Sequence, residues 1–494
     1  MEKEEEEEAR AYPPTNKKMT DHLCVLVHGL HGNPCHFDYI AGALREKHGD
    51  KLYVLAVKRN SGTLTYDGIE RGGERVAHEI EDALKTLYEQ DYEISKLSIV
   101  GYSLGGLVAR YAIGLLYAKG YFDKIQPVNF TTFATPHVGV RSPARKSHFW
   151  NVLGARTVSA SGRQLFMIDS FRDTGKPLLS VLATPGSIFM LGLVMFKHRS
   201  LYANIVNDNA AVFYTTGISK TDPFMELDKY HINYLPGYSP VIVDPDQYIS
   251  AKGEKNSAPF RRWVIRRSMS LLTALPLYVF LFIFVPIASI LFLINSAIQT
   301  VRSKRRIRSH EEGKSGAFFG SYKVPLIVEE MRNAVEDMYE TVNAAQTPEY
   351  LFRDNYDRAE GTPSPKGQSR SHIPGMEQSL NNVSSRKTLK EDDDDRILDR
   401  SSSTLPPCTS SASSSSALPP PLSENNVPEF PTLALTPSQF AIIDSLNSVQ
   451  FRKYPVHIHK AWHSHAAIIV RMPRKSFDEG KIVVKHWLET EFFA

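Results

Sequence analysis

Leu97-Ser98-Ile99-Val100-Gly101-Tyr102-Ser103-Leu104-Gly105-Gly106-Leu107 is the stretch whose reading decides the fold. Leu97 to Val100 is a short apolar run with β-branched residues, the pattern of a buried parallel strand. Beyond Ser103, the residues Leu104, Leu107, Val108, Tyr111, Ala112, Leu115 and Leu116 recur at the i, i+3, i+4 spacing of a helix. The chain therefore reads as strand, sharp turn and helix, with Ser103 at the tip. Gly101 to Gly105 fits G-x-S-x-G, a nucleophile elbow. The serine occupies a strained turn, and bulkier residues at the flanking glycines would strike the adjoining strand and helix.

Working outward, Leu23 to Val27 is a fully apolar strand that ends in His28-Gly29-Leu30-His31-Gly32-Asn33. A glycine loop after the first core strand is where half of an oxyanion hole belongs in a fold with this elbow. The expected donors are the backbone N–H groups of Leu30 and Leu104. His28 reads as a loop-ordering residue, because nucleophile, acid and base follow in that chain order. Phe37, Ile40, Ala41 and Leu44 mark a helix, and Leu52 to Val57 the next strand. Val76, Ile80, Leu84 and Leu87 form one face of a further helix, with Glu79, Glu81 and Asp82 expected on the wet face. Val128 to Thr132 runs into the loop Phe133-Ala134-Thr135-Pro136-His137-Val138-Gly139. Strands alternating with helices predict an α/β protein with a mostly parallel, doubly wound sheet, and its chemistry at the carboxyl ends of the strands.

From Val140 to Arg199 the pattern is irregular, and a cap insertion at about 140–200 is expected over the pocket. Its apolar piece Ile188 to Leu191 suits either lipid contact or core packing. Leu201 to Val206 is a strand followed by Asn207-Asp208-Asn209, so Asp208 stands where a triad acid belongs. Asp169 and Asp173 are rival acids with no clear strand before them. Val212 to Gly217 reads as another strand. Near the C-terminus, a helix from about Ser438 to Leu446 precedes Tyr454 to Arg471, which carries His457, His459, His463 and His465. The base belongs in a loop after the last strand. His465 fits best, with a strand at 455–460 before it and apolar Ala466 to Val470 after it. His463 is the second choice, and His457 and His459 suit the strand. No carboxylate lies between these histidines, so no metal site is expected, and the chemistry requires no cofactor.

The chain has 494 residues and a net charge of only +4, which gives no general case for nucleic-acid binding. Its three cysteines, Cys24, Cys35 and Cys408, are scattered, as in a reducing compartment. The start MEKEEEEEAR has no apolar run behind it, so a secretory signal is not expected, and residues 1–20 read as a disordered acidic lead. The hydrolytic core is expected at 21–250 and again at 430–494.

Between these halves, Leu271 to Ile294 holds no charged residue, enough for a ~30 Å hydrocarbon core as a straight helix. Pro276 and Pro286 interrupt it, and both flanks are basic: Arg261, Arg262, Arg266 and Arg267 before, and Arg302, Lys304, Arg305, Arg306 and Arg308 after. A full crossing would part Ser103 from a C-terminal histidine. The segment 261–308 therefore reads as a re-entrant hairpin or in-plane helix, each arm reaching only ~16 Å at helical rise. Residues 320–345 include the amphipathic Val324 to Asn343, and 360–427 form a Ser/Pro-rich linker expected to be disordered.

Together GYSLGG, HGLHGN, ATPHVG, LYANIVND and HSHAAIIVR resemble the “putative serine esterase” family of fungi and plants, lipase-like α/β-hydrolases, above all its fungal branch containing the lipid droplet phospholipase. The resemblance implies an α/β-hydrolase fold and an intracellular serine hydrolase acting on phospholipids or acylglycerols at a lipid droplet or endoplasmic reticulum membrane, with the catalytic domain facing the cytosol. It places Ser103 as nucleophile, Asp208 as acid and His465 as base. The other readings are a monoacylglycerol lipase or acyltransferase, or a catalytically silent hydrolase-fold scaffold at a lipid surface.

Overall fold

The computed structural model describes residues 11–12, 20–140, 159–251 without 209, 210 and 226, then 294, 297–309, 312 and 430–494 without 431 and 434. One seven-stranded sheet organises them, in the order β1-β3-β2-β4-β5-β6-β9. Its strands are β1 (Ala11–Tyr12), β2 (His22–Val27), β3 (Leu52–Ala56), β4 (Lys96–Tyr102), β5 (Gln126–Phe133), β6 (His198–Asn204) and β9 (Arg452–Val456). The six from β3 to β9 run parallel, and only β1 is antiparallel. A separate ribbon pairs β7 (Tyr230–Ile232) with β8 (Ile249–Ala251).

Every residue of β2 is buried, which explains its unbroken apolar run. Alternate side chains enter opposite layers. Leu23, Val25 and Val27 join the core beneath α2 (Ile69–Glu89) and α3 (Leu104–Ala118). Cys24 and Leu26 join the core beneath α1 (Asp38–His48). After β2 the chain first moves outward to β3, then returns to the other side of β2 as β4. The order reverses between β2 and β4, which makes a crevice at their carboxyl ends.

Several expectations are corrected. Glu79 is buried rather than wet, because its carboxylate accepts the Lys58 and Arg59 amides, both at 2.9 Å, where β3 ends. Val212 to Gly217 is not a strand; Phe213–Thr216 forms one helical turn. Tertiary bonding overrides β propensity there: the Thr215 hydroxyl donates to the Gly139 carbonyl and accepts from the Val138 amide. The last strand ends at Val456, so His457 and His459 lie beyond it. Ala11 and Tyr12 fall in the expected disordered lead, yet they pair with Leu55 and Val54 on the open edge of β3.

The region expected to be a cap contains α4 (Ser159–Leu165), α5 (Leu178–Leu182) and α6 (Ile188–Met195). The last belongs to the body of the fold. Ile188, Phe189, Met190 and Leu193 are buried in the core of α3, where Gly114 leaves the space Phe189 fills. Core packing, not lipid contact, accounts for that apolar run. Arg141, Arg145 and Lys146 lie outside the described residues, as do 271–293, Val324 to Asn343 and 360–427, so the expected amphipathic helix and linker lie there too, and of the expected hairpin only Ile294 and residues 297–308 are described. Among the described residues no helix is long and apolar enough to cross a membrane.

Burial lowers His22 from its ordinary 6.5 to about 3 and His28 to about 4. Between pH 6.5 and 4 the unfolded chain takes up protons that these folded side chains refuse, so stability falls as pH falls through that window. Thermal melts from pH 7.5 to 4.5 should show a declining Tm, and His22→Gln should make the decline shallower.

Candidate active site

Ser103 leaves β4 with φ 54° and ψ −129°, a strained conformation for a residue with a side chain. The turn fits because Gly101 and Gly105, two positions to either side, have none. A Cβ on Gly105 would stand 2.0 Å from the Val27 carbonyl oxygen, and one on Gly101 2.3 Å from the Gly106 Cα. The Ser103 amide donates to the Phe133 carbonyl at 2.9 Å, tying the elbow to the end of β5.

Asp208 lies four residues beyond β6, and His465 lies in the short helix Ser464–Ala467 beyond β9. Because β6 and β9 are hydrogen-bonded neighbours, these two post-strand segments meet. His465 Nδ1 is 2.8 Å from Asp208 Oδ2, and its Nε2 is 2.8 Å from Ser103 Oγ. An ionised Asp208 accepts a hydrogen bond from Nδ1–H, and this leaves the Nε2 lone pair toward the serine hydroxyl. Burial opposes ionisation of Asp208. His465, Asn204 Nδ2 at 2.9 Å and the Ala211 amide at 2.8 Å outweigh it and hold the carboxyl below its ordinary value.

The histidine is held by its backbone as well. The Tyr102 hydroxyl donates to the His465 carbonyl at 2.9 Å, and Ser464 Oγ donates to the Val206 carbonyl at 2.7 Å. Tyr102, Asn204 and Ser464 were not assigned these roles from sequence. All three lie within motifs already quoted, but nothing in their residue types marks a hydrogen bond between distant segments.

Leu104 adjoins Ser103 in the chain, and the loop carrying Leu30 approaches Ser103 through Gly29. Leu104 opens α3, whose first amides have no acceptor within the helix. Leu30 follows Gly29, where a Cβ would lie 2.8 Å from the Ser103 Cβ. The loop carrying Leu30 is secured by residues 62–67, a 3-10 segment. The His31 amide donates to Thr65 Oγ1 at 3.0 Å, the His31 ring bonds the Tyr66 hydroxyl, and the Gly62 amide donates to the Gly32 carbonyl at 2.8 Å. His28 bonds the Gly29 carbonyl and Ser61 Oγ, both at 3.2 Å, and stands apart from the relay, as a loop-ordering residue should.

The rival residues go elsewhere. Asp169 accepts the Leu178 amide, and Asp173 lies in a surface turn. His457 bonds the Tyr234 hydroxyl, His459 lies 3.3 Å from Glu479, and His463 is exposed. Among the described residues, no group of three or more histidine, cysteine or acidic side chains could hold a metal ion.

A mostly parallel sheet with a strained serine after β4, an acidic residue after β6 and a histidine after the last strand is the arrangement of an α/β-hydrolase. Residues 17–221 match the model of the family described as “Putative serine esterase (DUF676)”, the family that the motifs resemble. The chain is 32% identical over 240 residues to “Putative lipase ROG1” of Saccharomyces cerevisiae, a match covering 47% of this chain and 33% of that protein. It is 28% identical over 246 residues to “Putative lipase C4A8.10” of Schizosaccharomyces pombe, covering 47% and 31%. The chain thus spans about a third of the length of these curated relatives. Among solved structures, mature Bacillus licheniformis lipase BlEst2 aligns at 17% identity and a TM-score of 0.26, covering 40% of this chain and 71% of that one.

Tyr102→Phe removes the bond that positions His465 without changing the shape of the core. Losing the hydrogen bond to the His465 carbonyl, about 1 kcal/mol, should lower kcat roughly fivefold. The substitution should leave Tm within a few degrees; steady-state kinetics on a soluble ester and a thermal melt check both.

Proposed function

We propose that this protein is a serine-dependent lipid acyl-ester hydrolase, a phospholipase or lipase, working at a lipid droplet or endoplasmic reticulum surface. The observation that carries this reading is the unbroken hydrogen-bond relay from Ser103 through His465 to Asp208. Ser103 Oγ attacks the ester carbonyl while His465 Nε2 takes its proton. Asp208 stabilises the imidazolium, and the Leu30 and Leu104 amides receive the negative charge on the carbonyl oxygen. The tetrahedral intermediate expels the alcohol, which leaves with the proton from His465. Water, deprotonated by the same histidine, then releases the fatty acid and restores the serine.

A silent scaffold would have no use for a strained serine held 2.8 Å from a histidine that is itself oriented by a buried carboxylate. The lipid substrate class rests on the family match and on relatives named as lipases, together with the charge-free run Leu271 to Ile294. A membrane hairpin is part of the proposal, because the relay needs residues on both sides of that run to share one face of the bilayer.

Fluorophosphonate labelling of the detergent-purified chain tests the reading. The wild type should label, and Ser103→Ala and His465→Ala should not. Removing the nucleophile or base should lower esterase kcat by roughly 10⁴ or more, and Asp208→Asn by a comparable factor through the wrong imidazole tautomer. Labelling that persists in Ser103→Ala would overturn the assignment.

A further inference from the structure

Ile294, the last residue of the charge-free run, and residues 297–309 just after it are helical. One face of the helix is docked. Ser303 is fully buried, with its hydroxyl on the Tyr66 carbonyl. Arg306 grips Asp67 through Nε at 2.9 Å and Nη2 at 2.6 Å, and its Nη2 also donates to the Thr63 carbonyl. Asp67 has no side-chain exposure and is held from the other side by Arg75 at 2.6 Å. The clasp therefore closes on residues 62–67, the segment that also secures the loop carrying Leu30.

The opposite face is open. Ile298, Val301, Arg305 and Arg308 are exposed, and they fall within roughly 80° of arc at 3.6 residues per turn; Ile294, ahead of them in the chain, is exposed as well. Exposed Arg302 and Lys304 flank this stripe. The stripe changes character along its length, apolar at the end adjoining the charge-free run and basic at the other. The chain has no acidic residue between Glu254 and Glu311. Three large aliphatic side chains exposed in a row, followed by a group of cations, make a poor surface for water and a good one for the boundary between acyl chains and anionic headgroups.

We propose that helix 297–309 is a docking arm for an anionic phospholipid surface, clasped through Arg306 and Asp67 to the support of the Leu30 loop. Ile294, Ile298 and Val301 enter the acyl boundary, and Arg302, Lys304, Arg305 and Arg308 meet headgroup phosphates. The arm is fixed to the body of the enzyme, so docking sets how the catalytic mouth faces the lipid. This deepens the lipid-surface reading above and rests on it for the identity of the surface.

Flotation of the full chain on vesicles tests the arm without requiring catalysis. With phosphatidylglycerol mixed into phosphatidylcholine, the wild type should partition at least roughly tenfold better than onto phosphatidylcholine alone, since each basic residue near an anionic surface is worth about fivefold. Salt should erase the preference. The fourfold variant Arg302→Ser, Lys304→Ser, Arg305→Ser, Arg308→Ser should lose the preference while floating on phosphatidylcholine as the wild type does.

Independently, an environment-sensitive label at Ile298→Cys should shift to the blue on the anionic vesicles, and one at Tyr88→Cys on α2 should not. A preference retained by the fourfold variant, or no shift at position 298, overturns the arm. Failure of fluorophosphonate labelling with the lipid preference intact would overturn the hydrolase reading and leave the arm standing.

Discussion

The pairing of β6 with β9 is the constraint on which the rest depends. Five residues of each strand run in parallel register, Ser200 to Asn204 against Arg452 to Val456. That ladder brings together segments about 250 residues apart and sets the loops that follow them side by side. Everything chemical about the site is downstream of it: Asp208 finds His465, Ser464 anchors to Val206, and the histidine is delivered to an elbow built wholly from the N-terminal half.

A second economy lies in how strand ends are finished. Two buried glutamates on helices, Glu79 and Glu479, accept pairs of backbone amides just past β3 and β9. Each satisfies donors that would otherwise be unmet where the chain leaves the sheet. Burial raises the Glu79 carboxyl above its ordinary value, and the Lys58 and Arg59 amides offset only part of the rise. The outer strands are thus held at their carboxyl ends, which is the side on which the relay is assembled.

The elbow was legible because its chemistry is local. Gly101, Ser103 and Gly105 sit in one turn, and the clash of a Cβ at Gly105 with the Val27 carbonyl follows from a strand and helix that both announce themselves in the sequence. The parallel sheet was legible for the same reason, from apolar runs alternating with helical spacing. Glu79 was misread because helical periodicity places a residue on a face but does not say what loop lies over that face. Phe213–Thr216 looked like a strand because aromatic and β-branched residues favour extended chain, until contacts with Gly139 and Val138 outweigh the preference. Tyr102 carried no legible role because its partner, His465, lies 363 residues away.

The ladder between β6 and β9 also orders events in time. A ribosome adding about 5–20 residues per second reaches His465 roughly 10–30 s after it has passed Ile294. During that interval the nucleophile elbow, the Leu30 loop and the charge-free run have all been made, but the base has not. The serine is therefore born without a proton acceptor. Until the final strand closes the sheet, the hydrogen bonds from His465 to Ser103 and Asp208 do not exist.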